Sequence, residues 1–424
     1  MVFLASFLAA CSKNKPTTPP APHNLGELAP TPDWQSLQVF QRTITREDFI
    51  DLLQNVYLES GAAGWSSTIK VTDRYADIVT NTHPAATNPT FRLHFATSAQ
   101  TPPPRYWRSP RQLPPASDLD RHPLSDLRIA IDPGHIGGGW AKMEERWYTL
   151  GAMPVMEGSL TLQVARLLAP KLEALGARVT LVRESEDPVT QARPINFVQP
   201  AREFLSRIGI DPDAPPASYS YSVEKQSQRL FYRTREIRDR ATLVNGVIRP
   251  DITICLHFNA EAWGDPQMPT LTEKNHFHML INGCYSRGEL RLDDQRFDLL
   301  THLLQRNHRE ERALAESLAL SFSKHTGLPP FVYQTPNARS VGQNRFLYAR
   351  NLLANRAYKS PVVFFEPYVM NSREVYARIQ AGLYDGDREV AGTRRPSIFH
   401  EYADSVADGL ADYYRNNRNI RKTL

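Results

Sequence analysis

Residues 127–135 read Leu-Arg-Ile-Ala-Ile-Asp-Pro-Gly-His, a short apolar run that ends directly in polar residues. The same arrangement recurs at 252–259, Ile-Thr-Ile-Cys-Leu-His-Phe-Asn, and at 361–366, Pro-Val-Val-Phe-Phe-Glu. Short apolar runs of this kind alternate with helical patterns from Leu127 onward, which is typical of parallel strands joined by helices. We therefore predict an α/β fold with a mostly parallel, twisted sheet flanked by helices.

The other elements of this fold follow from apolar spacing and from turn residues. We predict further strands at 179–182 and 277–281, and helices at 157–175, 233–245, 310–325 and 372–382. Pro170 lies inside the first helix and is expected to kink or split it, because proline removes a backbone hydrogen bond.

Composition excludes several classes of protein. With 41% hydrophobic and 22% charged residues, the chain is not expected to be largely disordered. Its length of 424 residues is enough for two or three domains. No apolar run approaches the roughly 18 residues that span a bilayer, which argues against an integral membrane protein. A net charge of +5 does not indicate a nucleic-acid partner, and three cysteines are too few for a disulfide framework or a cysteine zinc site.

The N-terminus carries features of a bacterial lipoprotein. Residues 1–11 are apolar and end in Leu8-Ala9-Ala10-Cys11, which resembles a lipobox whose cysteine becomes the lipidated N-terminus after the signal is removed. The alternative is a buried apolar segment with an incidental cysteine. Residues 12–33 are proline-rich and are predicted to be an extended tether between a membrane and the folded chain.

Proline content also divides the rest of the chain. Residues 34–101 combine one helical pattern with short strands, so we predict a small α+β domain of unknown role. A second proline-rich segment, 102–124, is predicted to be a linker. Residues 125–424 then form the main domain, which is long enough for a stable core.

Four chemically capable residues stand at the ends of predicted elements. His135, His257 and Glu366 follow strands, and Glu157 opens a helix. The carboxyl ends of parallel strands share one edge of a sheet, where ligands bind. Two imidazoles and a carboxylate suit a catalytic zinc, and a second carboxylate suits general acid–base work. The alternative is a set of unrelated polar residues in strand-end loops.

These motifs, taken in order, resemble the zinc-dependent N-acetylmuramoyl-L-alanine amidases that cleave bacterial peptidoglycan. The resemblance covers about residues 127–385. It implies that His135, Glu157 and His257 hold one Zn²⁺ and that Glu366 is the catalytic carboxylate. The bond hydrolysed would be the amide between the lactyl group of N-acetylmuramic acid and the L-alanine of the stem peptide.

Further expectations concern the substrate and the surroundings of the site. We expect Asn259, Trp140 and Asn371 to contact substrate, although Trp140 could equally serve packing. Two stretches, about 184–232 and 262–312, are longer than in the family and could narrow, cover or regulate the cleft. Ile136 also replaces the glycine that usually follows the first histidine.

The resemblance also implies a setting and partners. We expect peptidoglycan as substrate, a membrane contact through lipidated Cys11, and an activator protein as a further partner. The location would be the periplasmic face of a bacterial membrane, with the outer membrane favoured over the inner one. The alternatives are a zinc peptidase acting on another wall amide and a non-catalytic or autoinhibited scaffold that binds the wall.

Five further histidines and Cys255 are interpreted as structural. We expect His276 and His278 to form a solvated or hydrogen-bonded strand face rather than a metal site, His302, His308 and His325 to lie on helix surfaces, and Cys255 to fill the core.

Overall fold

The computed structural model describes residues 22–60, 64–87, 89–98, 103–210 and 216–419. The predicted signal with Cys11 lies outside these residues, as do residues 12–21 of the predicted tether. The helices are α1 (Arg46–Leu52), α2 (Glu157–Ala174), α3 (Val198–Arg207), α4 (Pro216–Arg229), α5 (Glu236–Leu243), α6 (Asp293–Gln305), α7 (Asn307–Thr326), α8 (Leu353–Ala357), α9 (Arg373–Gln380) and α10 (Ile398–Asn417). The strands are β1 (Ile69–Val71), β2 (Tyr75–Val79), β3 (Thr90–His94), β4 (Arg128–Pro133), β5 (Trp147–Tyr148), β6 (Val155–Met156), β7 (Arg178–Leu181), β8 (Ile252–Leu256), β9 (His278–Ile281), β10 (Arg339–Ser340), β11 (Leu347–Ala349), β12 (Val362–Glu366), β13 (Arg388–Val390) and β14 (Thr393–Arg395).

The core of the molecule is a seven-stranded sheet in the order β10-β11-β9-β12-β8-β4-β7. The strands β12, β8, β4 and β7 are parallel to one another, which confirms the predicted mostly parallel sheet. The strand predicted at 277–281 forms as β9, but it runs antiparallel to β12. The start of β9 therefore lies at the same edge as the carboxyl ends of β4, β8 and β12.

Helices cover both faces of this sheet. Apolar side chains of α2, α7 and α10 pack on one face, and those of α5 and α8 pack on the other. The helix α2 continues through Pro170 as one element, so the predicted split does not occur. Cys255 is fully buried in the second cluster, as a core residue.

The N-terminal segment folds as a three-stranded antiparallel sheet, β1-β2-β3, with α1 beside it. Its hydrophobic core contains Phe49 and Ile78 together with Leu299 and Leu303 of α6. Since α6 belongs to the 262–312 insertion, the insertion completes the core of the N-terminal segment.

Residues 23–29, which we call the strap, join several parts of the protein. Asp293 donates its backbone N–H to the carbonyl oxygen of Asn24 at 2.8 Å, and Gly26 donates its N–H to the carboxylate of Asp294 at 2.8 Å. Leu28 packs on the hydrophobic cluster of the 184–232 insertion. The end of the predicted tether is therefore part of the folded body and contacts both insertions.

The described part of the predicted linker, 103–124, also packs on the main domain. Trp107 is buried, and Arg108 forms an ion pair of 2.7 Å with buried Asp251. Arg418 of the C-terminal segment donates a hydrogen bond of 2.8 Å to the carbonyl oxygen of Pro123. These contacts fix the segment along its length.

The histidines predicted on helix surfaces divide into two groups. His325 is partly exposed and lies 3.0 Å from Asp408. His302 and His308 are buried, so the surface prediction was wrong for them, because α6 and α7 lie between the N-terminal segment and the main sheet.

None of the helices within the described ranges is long and apolar enough to cross a membrane.

Candidate metal centre

Three of the predicted residues meet at the carboxyl edge of the sheet. His135 follows β4, Glu157 is the first residue of α2, and His257 follows β8. His135 Nε2 lies 3.2 Å from one oxygen of Glu157, and His257 Nδ1 lies 3.1 Å from the other. One ligand atom of each residue lies within 4.8 Å of the others, and no second group of this kind occurs among the described residues.

The charges at this centre favour a cation. Burial alone would raise the pKa of the Glu157 carboxyl, but the nearby imidazoles of His135 and His257 outweigh it and hold that pKa at about 2. An ionised carboxylate thus faces two imidazoles in a partly enclosed site. Zinc prefers nitrogen and oxygen donors of this kind, so the residues fit the metal that the family resemblance implies.

The surroundings of His257 fix its ring. A Cβ atom at Gly134 would lie 2.2 Å from Cε1 of His257, so only glycine leaves room for the imidazole. The other side of the ring stacks on Phe364, with centroids 4.2 Å apart and planes 14° apart. The glycine of the Asp-Pro-Gly-His motif therefore has a direct steric role at the centre.

Buried ion pairs hold the loop that carries His135. Arg240 of α5 forms ion pairs of 2.8 Å with Asp132 and 2.7 Å with Glu236. It also donates hydrogen bonds of 2.8 Å to the backbone carbonyl oxygens of Pro133 and His135. Arg240, in a segment predicted as helical, thus supports the first candidate ligand.

Glu366 ends β12 beside this group, where its side chain is partly buried. Burial raises the pKa of its carboxyl to about 7, with Glu157 adding to the shift and His257 opposing it. Its carboxylate has no hydrogen-bond or ion-pair partner among the described residues. Such a group can both accept and return a proton near neutral pH.

Glu144 also contacts the centre, and our sequence analysis missed it. Its Oε2 lies 3.2 Å from Nδ1 of His135, on the ring edge away from Glu157. The local sequence, Met-Glu-Glu-Arg at 143–146, resembles an ordinary exposed loop and contains no signal of this contact.

The residues predicted to contact substrate have different surroundings. Asn371 is fully buried, accepts a hydrogen bond from the Glu261 backbone at 3.0 Å and donates one to the carbonyl oxygen of Thr270 at 3.1 Å, so it braces a loop. Trp140 donates its indole N–H to Asp187 at 3.1 Å and packs near Phe231.

Asn259 is only partly buried, beside His257. Its side-chain oxygen accepts a hydrogen bond of 2.7 Å from the backbone of Ala260.

His276 and His278 lie buried at the start of β9 and are not part of the three-residue group. The Nε2 atom of His278 is within hydrogen-bond distance of the Tyr333 hydroxyl, at 2.9 Å.

A groove of about 540 Å³ opens beside the centre, and Trp147, Trp263, Glu261 and Arg146 are among its lining residues. The backbone N–H of Glu157 donates a hydrogen bond of 3.1 Å to the carbonyl oxygen of Arg146, which places Arg146 next to the candidate ligand. Its exposed side chain has no ion-pair partner among the described residues. The groove thus presents aromatic surface and an available cation close to Glu157.

A histidine–glutamate–histidine group at the carboxyl edge of an α/β sheet, with a further carboxylate beside it, is typical of metal-dependent hydrolases. The sequence model of the N-acetylmuramoyl-L-alanine amidase family matches residues 129–387, more than half of the chain. The chain therefore belongs to this family, the hydrolases that cleave the amide between N-acetylmuramic acid and L-alanine in peptidoglycan.

Several solved structures are similar to this chain at low identity. The amidase Ami1 from Mycobacterium smegmatis has 15% identity and a TM-score of 0.39, with 69% of this chain and 98% of that chain covered. The amidase CwlD from Clostridioides difficile, solved with the GerS lipoprotein, has 10% identity and a TM-score of 0.38, with 68% and 98% covered. AmiC2 of Nostoc punctiforme has 15% identity and a TM-score of 0.34, with 68% and 98% covered. No curated protein matches the chain.

Proposed function

We propose that the chain works as a zinc-dependent amidase in which His135, Glu157 and His257 hold one Zn²⁺. The observation that carries this proposal is the convergence of their three ligand atoms within 4.8 Å. When bound, zinc would supply a Lewis acid and lower the pKa of a coordinated water to about 7.

Glu366 performs the proton transfers in this proposal. Its carboxylate takes a proton from the attacking water and delivers it to the nitrogen of the departing L-alanine. The position of Glu366 at the end of β12 and its pKa of about 7 support this role. The same position would serve a peptidase that cleaves another wall amide, so the products have to distinguish the two.

The groove beside the centre is where we place the stem peptide. Peptidoglycan stem peptides carry free carboxylates, and the exposed guanidinium of Arg146 can pair with one of them. Trp147 and Trp263 offer apolar faces to the methyl-bearing lactyl and alanyl groups. Arg146 would therefore contribute to substrate binding more than to the chemical step.

The setting of the enzyme is also part of the proposal. A lipid on Cys11 would hold the protein at the periplasmic face of a bacterial membrane, with the outer membrane favoured. Residues 12–22 between Cys11 and the strap would span at most about 40 Å when extended.

An activator protein remains a predicted partner, and both insertions offer surfaces near the cleft for it.

Metal content and activity of matched variants test the assignment. Glu366→Ala is expected to keep one zinc per chain and to lose amidase activity, whereas His257→Ala is expected to lose both. Turnover retained in Glu366→Ala would contradict the role of Glu366. A wild-type chain that holds zinc and releases no product would support the scaffold alternative.

A further inference from the structure

We propose that Glu144 is a positioning residue for the metal centre, which orients His135 and sets the zinc affinity. This inference rests on the proposed zinc function. Its starting point is the 3.2 Å contact between Glu144 Oε2 and Nδ1 of His135, on a carboxylate that is almost fully buried.

The contact selects one tautomer of His135. The Nε2 atom of His135 faces Glu157 at 3.2 Å and is the atom that would bind the metal, so it must carry a lone pair. The proton of the neutral ring then resides on Nδ1, where the Glu144 carboxylate accepts it in a hydrogen bond. A carboxylate in this position also makes the ligating nitrogen more basic and fixes the ring plane.

A second hydrogen bond fixes Glu144 itself. The backbone N–H of Ile136 donates to the same Oε2 atom at 3.0 Å. The carboxylate therefore bridges the side chain of His135 and the backbone of the following residue. Ile136 replaces a glycine of the family, and its buried side chain anchors this backbone in a hydrophobic cluster.

The 184–232 insertion explains why Glu144 is buried. Trp140 and Met143 of the Glu144 loop pack on the cluster that includes Phe197 and Leu205 of the insertion. This packing turns the loop inward at Glu144, while the neighbouring Glu145 stays exposed. The insertion therefore holds Glu144 in the position from which it orients His135, in addition to any effect on access to the cleft.

Zinc affinity of the full chain, measured with zinc alone against a competing chelator, tests this inference. Glu144→Gln keeps the shape and removes the charge, and Glu144→Ala removes the contact. Both are expected to weaken zinc binding by about 10- to 100-fold. Glu144→Asp keeps the charge but is shorter, so its affinity is expected to fall between that of Glu144→Gln and the wild type.

The matched control is Glu145→Gln, which removes the same charge from the adjacent exposed position. The thermal unfolding of the metal-free Glu144→Gln and Glu145→Gln chains measures separately how much the hydrogen bond from Ile136 stabilises the fold without zinc. Zinc affinities of the Glu144 variants equal to that of Glu145→Gln would overturn the inference.

The experiment also separates this inference from the proposed function. His135→Ala serves as the reference for loss of a ligand. If His135→Ala loses zinc and Glu144→Gln does not, the metal centre stands and the role of Glu144 is wrong. If the wild-type chain itself binds no zinc, the proposed function fails first.

Discussion

The guanidinium of Arg240 donates a 2.8 Å hydrogen bond to the backbone carbonyl oxygen of His135. His135 has a φ angle of 60°, in the left-handed region that residues other than glycine rarely adopt. Such a conformation costs about 1–3 kcal/mol and persists where neighbouring groups hold it. Arg240 therefore both stabilises the fold and holds the backbone of His135, the first candidate ligand, in position.

Replacing Arg240 is expected to destabilise the protein strongly. Arg240→Met leaves the buried carboxylates of Asp132 and Glu236 without their partner, which costs about 3–5 kcal/mol in the free energy of unfolding. Denaturant unfolding measures this cost. Arg235→Met, at a more exposed pair with Asp239, is the control and is expected to cost less than about 1 kcal/mol. Equal costs would contradict the structural role of Arg240.

Glu311 makes stability depend on pH. Burial raises the pKa of its carboxyl to about 8, so the folded chain keeps a proton that the unfolded chain releases near its ordinary pKa. The stability that Glu311 contributes therefore falls as pH rises from about 5 to 8. The variant Glu311→Gln mimics the protonated acid and does not titrate. Its free energy of unfolding is therefore expected to rise relative to that of the wild type by up to about 1.4 kcal/mol per pH unit in that window.

Unfolding curves at several pH values check this expectation. Glu316→Gln is the control, because it lies on the same helix, α7, with a side chain that is 38% exposed and paired with Arg312. A difference between Glu311→Gln and the wild type that stays constant with pH would show that Glu311 is ionised in the folded protein.

The strap is expected to loosen when Asp293 is removed. Its carboxylate, fully buried, accepts hydrogen bonds from the backbone N–H of Asn24 at 3.2 Å and of Thr82 at 3.0 Å, and it pairs with buried Arg296 at 2.7 Å. Asp293→Ala should therefore raise hydrogen exchange in the strap, 23–29, and in 75–82 together. Unchanged exchange in either segment would show that Asp293 does not join them; exposed Asp51→Ala is the control.

Arg146 is expected to affect substrate binding. Arg146→Ala removes the available guanidinium of the groove, so KM for a muramoyl peptide whose stem carries free carboxylates should rise about tenfold or more, because a charge-assisted hydrogen bond contributes about 1.5–3 kcal/mol. The value of kcat should change little. Arg178→Ala, at the opposite edge of the sheet, is the control for net charge. A fall in kcat with KM unchanged would contradict this placement.

Much of the site could be predicted because it depends on strand ends. The apolar runs of β4, β8 and β12 are unambiguous, and the residues after them must share an edge if the strands are parallel. His135, His257 and Glu366 follow from that rule, and Glu157 follows from its place at a helix start. The family motifs then supplied the expected role of each residue.

The rest depends on contacts between distant segments. The direction of β9 is not encoded in its own four residues, since it is set by the chain that connects it to β12. Glu144 looks like a surface acid until the 184–232 insertion packs on its loop. His302 is buried because its ring lies against the backbone of Arg356 and the side chain of Asn307, both outside α6. Apolar periodicity within one element contains no information about such partners.

The most direct test of the central claim is mass analysis of peptidoglycan digested by the zinc-loaded full chain, with Glu366→Gln as the inactive control. The account predicts intact stem peptides that begin with L-alanine, together with glycan whose lactyl groups end in free carboxylates, and neither product from the control. Peptides cut internally, with the muramoyl–L-alanine amide intact, would contradict it.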